Sequence, residues 1–184
     1  MSGGKCNMIK IEDLYFELFI PEEQLLEKVS TLAEAVNKDY SGKNPILLAV
    51  LNGSFMFMSD ICKDIDLEVD VSFIKLASYS GTRSTGLVTS LLGLNTSLKD
   101  KDVIIIEDIV DTGKSMVFLM DLIQRENPKS VEIVSLLVKP DALEEDVSIK
   151  YRGFDIPDLF VVGYGLDYCG KGRNIRHLYQ KKEK

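Results

Sequence analysis

The stretch from 103 to 115, V-I-I-I-E-D-I-V-D-T-G-K-S, concentrates the groups of this 184-residue chain that could do chemistry. Its apolar opening reads as a buried strand that delivers two adjacent carboxylates, Glu107 and Asp108, to the carboxyl end. A third acid, Asp111, starts a short loop, Asp111-Thr112-Gly113-Lys114-Ser115, that runs into a helix. Gly113 permits a turn that other residues resist, and the loop amides with the helix N-terminus offer donors to an anion. Thr112 and Ser115 add hydroxyl donors. The pattern is a phosphate cradle beside paired acids, at the sheet edge where open α/β folds bind ligands. A nucleoside-triphosphate P-loop would need glycine where Asp108 stands, so that reading fails at its defining residue. A helix N-cap at Asp111 would explain one acid, not three crowded together.

The elements that must hold this loop follow two alternating periods. Residues 21 to 38 open on Pro21-Glu22-Glu23 and keep Leu25, Leu26, Val29, Leu32, Ala33 and Val36 on one helical face. An unbroken apolar run at 46 to 51 reads as a buried strand; it ends in Asn52-Gly53-Ser54, before a short helix at 55 to 63. Val69, Val71 and Phe73 alternate with polar residues, which predicts a strand at 67 to 77. The polar segment 78 to 86 reads as a loop, with a further strand at 87 to 94. Beyond it the pattern predicts a strand at 103 to 107, a helix at 114 to 126, a strand at 131 to 138 and a last short strand at 160 to 164. Strand–helix–strand units of this length imply right-handed crossovers and an α/β fold with a largely parallel sheet flanked by helices. The basic stretch 171 to 184 reads as a solvated tail.

Composition bounds the function classes. With 45% apolar and 28% charged residues, the chain reads as one globular domain over 1–184, neither disordered nor fibrous. Lys+Arg 22 against Asp+Glu 29 gives a net charge of -7, which argues against a nucleic-acid partner or an anionic membrane surface. It does not argue against a small anion held by a few local cations. Cys6, Cys62 and Cys169 form no C-x-x-C pair, the start of the chain lacks a signal-like apolar segment, and no apolar run could span a bilayer. A cytoplasmic protein without a membrane partner is expected.

The acidic strand end leading into D-T-G-K-S resembles the phosphoribosyl-diphosphate signature of type I phosphoribosyltransferases. E-D-I-V-D-T-G-K-S is close to the form found in the hypoxanthine–guanine branch of that family. Further segments carry the resemblance from about residue 21 to Arg173. Leu51-Asn52-Gly53-Ser54 is similar to the family's pyrophosphate loop, where a non-proline cis peptide precedes the glycine. Ser78-Tyr79 and the loop after them resemble the lid over the reacting centre, and Val138-Lys139-Pro140 with G-F-D-I-P-D-L-F-V-V-G-Y-G-L-D-Y at 153 to 168 resembles the base-recognition segments.

The resemblance implies the type I phosphoribosyltransferase fold: a core over about 21–168, with a small hood built from the N-terminal segment and the region after about 139. It implies Mg²⁺-dependent transfer from 5-phosphoribosyl 1-diphosphate to hypoxanthine and guanine in purine salvage, giving IMP and GMP with release of pyrophosphate. Glu107 and Asp108 would hold the ribose hydroxyls, directly or through the metal. Residues 111 to 115 would grip the 5′-phosphate, with Asp111 also the general base toward the purine N7 proton. Leu51, Asn52, Gly53 and Arg173 would meet the pyrophosphate, and Lys114 and Arg173 are the cations expected to face phosphate. Lys139 would donate to the 6-oxo group, since an ammonium cannot accept from a 6-amino group. Phe160 would stack on the base, the backbone at Val161 would read its edge, and Asp167 would close the base site and share the metal with Glu107 and Asp108. The sequence departs from many relatives in the glycine-rich run Cys169-Gly170-Lys171-Gly172 before Arg173, and in carrying Asn52 where some have lysine. Homodimers or homotetramers are the family's assemblies.

A different class of function shares the fold, namely regulators such as a pyrimidine-operon attenuation protein that binds RNA or a purine repressor that binds DNA. A repressor would need a DNA-binding domain ahead of the helix at 21. An RNA-binding regulator would show a basic face and lack the purine-contacting Lys139. His177, the only histidine, lies in the basic stretch with no nucleophile motif around it.

Overall fold

The computed structural model describes residues 7–78, 88–92 and 96–183. Two strands open the chain, β1 (Met8–Ile11) and β2 (Leu14–Ile20), followed by α1 (Glu22–Asp39), β3 (Ile46–Leu51) and α2 (Phe55–Asp64). Next come β4 (Asp70–Ser78), β5 (Val88–Leu92), β6 (Asp102–Val110), α3 (Lys114–Gln124) and β7 (Ser130–Val138). The strands β8 (Tyr151–Asp155), β9 (Val161–Val162) and β10 (Leu178–Lys181) complete the order. They form two sheets. The larger runs β5-β4-β3-β6-β7-β8 and is parallel except where β5 returns against β4; the smaller runs β1-β2-β10-β9 and is antiparallel.

Each central strand is apolar on both faces because helices cover both. Leu47, Ala49, Ile104 and Ile106 pack with the buried stripe of α1, Leu25, Val29, Leu32, Ala33 and Val36, and with Phe57 and Ile61 of α2. Their alternates Ile46, Leu48, Val103 and Ile105 pack on Met116, Leu119 and Ile123 of α3. This is the alternation that a doubly covered parallel sheet requires. The two acids in the first turn of α1, Glu22 and Glu23, sit at the positive end of its dipole. In β4 the apolar residues of the expected alternation, Val71 and Phe73, are exposed, while Ser72 and Ile74 are buried.

Several expectations change. The strand expected at 103 to 107 continues to Val110, because Ile109 and Val110 still pair with Leu137 and Val138. Glu107 and Asp108 therefore lie inside the strand, and Asp111 is the first residue beyond it. The strand expected at 160 to 164 is confined to Val161–Val162, in the smaller sheet. The basic stretch is no solvated tail, since Leu178 and Tyr179 are buried and β10 lies between β2 and β9. Tyr179 joins Ile11, Phe16 and Val162 in a third, smaller core. The lid residue Ser78 ends β4, whereas Tyr79 lies outside the described residues. Among the described residues no helix is long and apolar enough to cross a membrane.

Candidate active site

The carboxyl ends of β3, β6 and β7 lie side by side, and the register decides which residues meet there. Val110 is opposite Val138, so the residues that follow, Asp111 and Lys139, leave the sheet as neighbours. The Lys139 amide donates to the Val110 carbonyl at 2.9 Å. Its Nζ lies 3.1 Å from Asp111 Oδ2 and 2.9 Å from Asp158 Oδ1. The lysine is buried although its partners are open to solvent. Burial works against the ammonium's charge, but the Asp158 and Asp111 carboxylates outweigh it and hold the pKa above the ordinary lysine value.

Glu107 and Asp108 are both buried, and Glu107 Oε2 has no hydrogen-bond partner. Burial, reinforced by the neighbouring Asp108, pushes the Glu107 pKa well above the usual carboxylate range. Burial also raises Asp108, to about 6, against the pull of the backbone amides of Asp108 and Ile109 and the charge of Arg173. Two buried acids resisting ionisation, with one oxygen unpaired, form a site suited to cations or hydroxyl donors.

Gly53 follows the turn out of β3, whose Leu51–Asn52 peptide is cis. A Cβ at Gly53 would stand 1.6 Å from Asp108 Oδ2, so only glycine lets this loop lie against the acid pair. On its other side the Gly53 carbonyl abuts Gly165, where a Cβ would come within 1.9 Å of the oxygen. The loop after β9 is thereby seated directly on the loop after β3.

That second loop carries Asp167 and Arg173. Arg173 Nη2 is 2.5 Å from Asp167 Oδ1, and its Nη1 donates to the Gly165 carbonyl at 2.7 Å. The other Asp167 oxygen accepts from the Gly170 amide at 2.6 Å. The glycine-rich run thus serves the acid beside Arg173. The turn at 111 to 115 enters α3 through Gly113 at φ +84°, as the loop chemistry predicted, and the Thr112 carbonyl accepts from the Glu144 amide at 3.0 Å. The ammonium of Lys114, expected to face phosphate, pairs with the exposed carboxylate of Glu144.

Phe160 is 45% exposed, with its ring centroid 6.2 Å from Phe16 and 5.8 Å from Tyr168, the latter edge-on. Val161 is buried in β9 opposite Gln180. A cavity of about 800 Å³ opens beside Phe160, lined by Leu14, Tyr15, Asp158 and Lys182 among others. It borders the aromatic ring and Lys139's partner Asp158, and its lining does not include the Glu107–Asp108 pair.

The structure therefore gathers Glu107, Asp108, Gly53 and Arg173 on one side, and Asp111, Lys139 and Phe160's loop on the other. Sequence reasoning missed Asp158 and Tyr168. Tyr168 donates from its hydroxyl to Asp13 in the β1–β2 turn at 2.8 Å, a contact no local pattern signals.

Known proteins resemble this chain over most of its length. The family model described as "Phosphoribosyl transferase domain" matches residues 21–169. The chain is 41% identical over 172 residues to a hypoxanthine-guanine phosphoribosyltransferase of Dictyostelium discoideum, covering 91% of this chain and 96% of that protein. It is 39% identical over 163 residues to the bifunctional protein TilS/HprT of Listeria monocytogenes, covering 88% of this chain but 25% of that longer protein. Among solved structures, a hypoxanthine phosphoribosyltransferase from Staphylococcus aureus superposes with a TM-score of 0.86 at 42% identity, covering 90% of this chain and 91% of that one.

Proposed function

Because the chain belongs to the phosphoribosyltransferase family, we propose that it serves purine salvage, moving phosphoribosyl from 5-phosphoribosyl 1-diphosphate to hypoxanthine and guanine. The products are IMP or GMP and pyrophosphate. The observation that carries this reading is the pairing of buried Lys139 with Asp111 at adjoining strand ends. One group offers hydrogen bonds to a 6-oxo oxygen, and the other can take the purine N7 proton.

The chain's own residues divide the work. Phe160 offers its open face to the base, and the backbone at Val161 reads the base edge. Lys139 donates to the 6-oxo acceptor and has nothing to accept from a 6-amino group, so adenine is excluded. Asp111 holds the N7 proton as the purine nitrogen bonds to the ribose anomeric carbon and the bond to pyrophosphate breaks. The turn at 112 to 115 binds the 5′-phosphate through backbone amides and the Thr112 and Ser115 hydroxyls, with the exposed ammonium of Lys114, which pairs with Glu144, as the nearby cation. Arg173, on the loop seated against Gly53, presents its planar donor fork to the pyrophosphate.

Mg²⁺ suits the donor set. Glu107 Oε2 is a buried, unpartnered hard oxygen beside a second carboxylate, the ligand type this ion takes. Among the described residues no group of three or more His, Cys, Asp or Glu side chains could hold an ion alone. Glu107, Asp108 and Asp167 would therefore share it with substrate oxygens, as Mg²⁺ sites commonly do. Bound there, the ion supplies charge neutralisation for the diphosphate. The reading includes a homodimer or homotetramer in the cytoplasm.

The test is release of pyrophosphate from 5-phosphoribosyl 1-diphosphate, with and without Mg²⁺, offering hypoxanthine, guanine, xanthine, adenine and uracil in parallel. Turnover with hypoxanthine and guanine but not adenine, lost on chelation, is expected. Use of uracil together with retained RNA would overturn the reading in favour of an attenuation regulator.

A further inference from the structure

Lys139 stands between two carboxylates, and only one of them belongs to the turn after β6. The distances are 3.1 Å to Asp111 and 2.9 Å to Asp158. The lysine side chain is 8% exposed, against 50% for Asp111 and 68% for Asp158. An ammonium has three N–H donors and no acceptor, so two spent on carboxylates leave one. The lysine backbone is fixed as well: its amide donates to Val110 and its carbonyl accepts from the Ala142 amide at 3.1 Å. Asp158 lies in a tight turn closed by a 2.7 Å hydrogen bond from the Leu159 amide to the Pro157 carbonyl, two residues ahead of Phe160. One loop thus carries both the aromatic face and the second counter-ion of the buried lysine.

Resting on the reading that Lys139 and Phe160 receive a 6-oxopurine, we propose that Asp158 is the positioning residue for Lys139. It fixes the ammonium so that one N–H remains for the 6-oxo oxygen, and keeps Asp111 from being its sole counter-ion. Asp158 touches no reacting atom in this scheme and acts through the lysine. Its place beside Phe160 couples the two contacts, because any shift of this loop moves the ring and the counter-ion together. Without Asp158, the ammonium has Asp111 as its remaining carboxylate. Its remaining hydrogens are then unfixed, and the group meant to accept the N7 proton becomes the lysine's only anionic partner.

The experiment uses the full chain with Asp158→Ala and Asp158→Glu, measuring KM for hypoxanthine and for 5-phosphoribosyl 1-diphosphate separately, alongside thermal melting. Loss of a charge-assisted hydrogen bond that is open to water on one side predicts a hypoxanthine KM raised by about tenfold in Asp158→Ala. The diphosphate KM should stay close to that of the unaltered protein, and Asp158→Glu should restore most of the hypoxanthine KM. Asp158 is exposed, so melting should hardly move. A hypoxanthine KM unchanged in Asp158→Ala, or both KM values rising in parallel, overturns the assignment. If the unaltered protein uses no 6-oxopurine, the functional reading falls and this inference with it. If it does and Asp158→Ala matches it, this inference alone falls.

Discussion

The Tyr164 hydroxyl donates to Asp60 Oδ2 at 2.6 Å, tying the loop after β9 to helix α2 across 104 positions of sequence. Tyr164 is 2% exposed and holds φ +47°, a left-handed conformation that a bulky side chain adopts only under constraint. The next residue, Gly165, is the one seated on the Gly53 carbonyl and bonded by Arg173. The tyrosine thus anchors the contact that brings Arg173 toward the acid pair.

Tyr164→Phe should therefore do two things. It leaves the partly buried Asp60 carboxylate without its tyrosine donor, although Lys63 still pairs with it. The expected cost is about 1–2 kcal/mol of stability, read as a lower melting temperature. It also loosens the loop against Gly53, so KM for 5-phosphoribosyl 1-diphosphate should rise more than KM for the base. Equal changes in both constants would show that Tyr164 acts on stability alone.

Asp108 predicts an unusual pH dependence. Its folded pKa of about 6 lies above the ordinary 3.8, so in that window the folded protein keeps a proton that the unfolded chain releases. Stability from this group is then greatest below pH 4, falls as pH rises towards 6 and stays lower above it. Glu107, raised by the same burial, acts with the same sign. Asp108→Asn should lessen the fall in melting temperature between pH 4 and 6, leaving the part due to Glu107, and raise it at pH 7.5, while phosphoribosyl transfer falls. A melting curve for the unaltered protein that improves steadily from pH 4 to 7 in the absence of substrate would contradict this account.

Much of the larger sheet was legible in the sequence because its signals are local. The stripe of α1 repeats at helical spacing, and β3 is apolar without a break, so the sequence alone bounds both to within a residue of their ends. The acid pair and the 111 to 115 turn were legible for a similar reason, since chemistry and glycine stand together in one run. The smaller sheet was not. β2 carries Glu17 and β10 sits in a basic run, and the pairing that joins them spans about 160 positions of sequence. Lys139's second partner was hidden likewise: Asp158 is 19 residues away in an unpatterned turn, and only folding brings it beside the ammonium.

His177 illustrates the same distance effect and carries a prediction of its own. Helix α1 follows Pro21, which makes no side-chain capping bond. The Glu22 amide at the helix start instead donates to His177 Nδ1 at 2.9 Å, a cap lent from 155 residues away, just before β10. His177→Ala should cost about 1 kcal/mol, the usual value of a lost N-cap. Denaturant unfolding would read that loss, while KM for both substrates stays near its original value because α1 begins at the smaller sheet and not at the acid pair. No loss of stability would show that water replaces the imidazole at no cost.

Asp111→Asn separates chemistry from binding. Asp111 is half exposed and lies beyond the end of β6, so the amide should fold normally, and its oxygen can still accept from Lys139. What it cannot do is hold the purine N7 proton at neutral pH. Turnover with hypoxanthine should fall by about 10²–10⁴-fold, the range for loss of a positioned general base. Dissociation constants for IMP and for 5-phosphoribosyl 1-diphosphate should change far less, because the turn amides, the hydroxyls and Arg173 remain. Turnover close to that of the unaltered protein would remove Asp111 from proton transfer and leave it as Lys139's counter-ion.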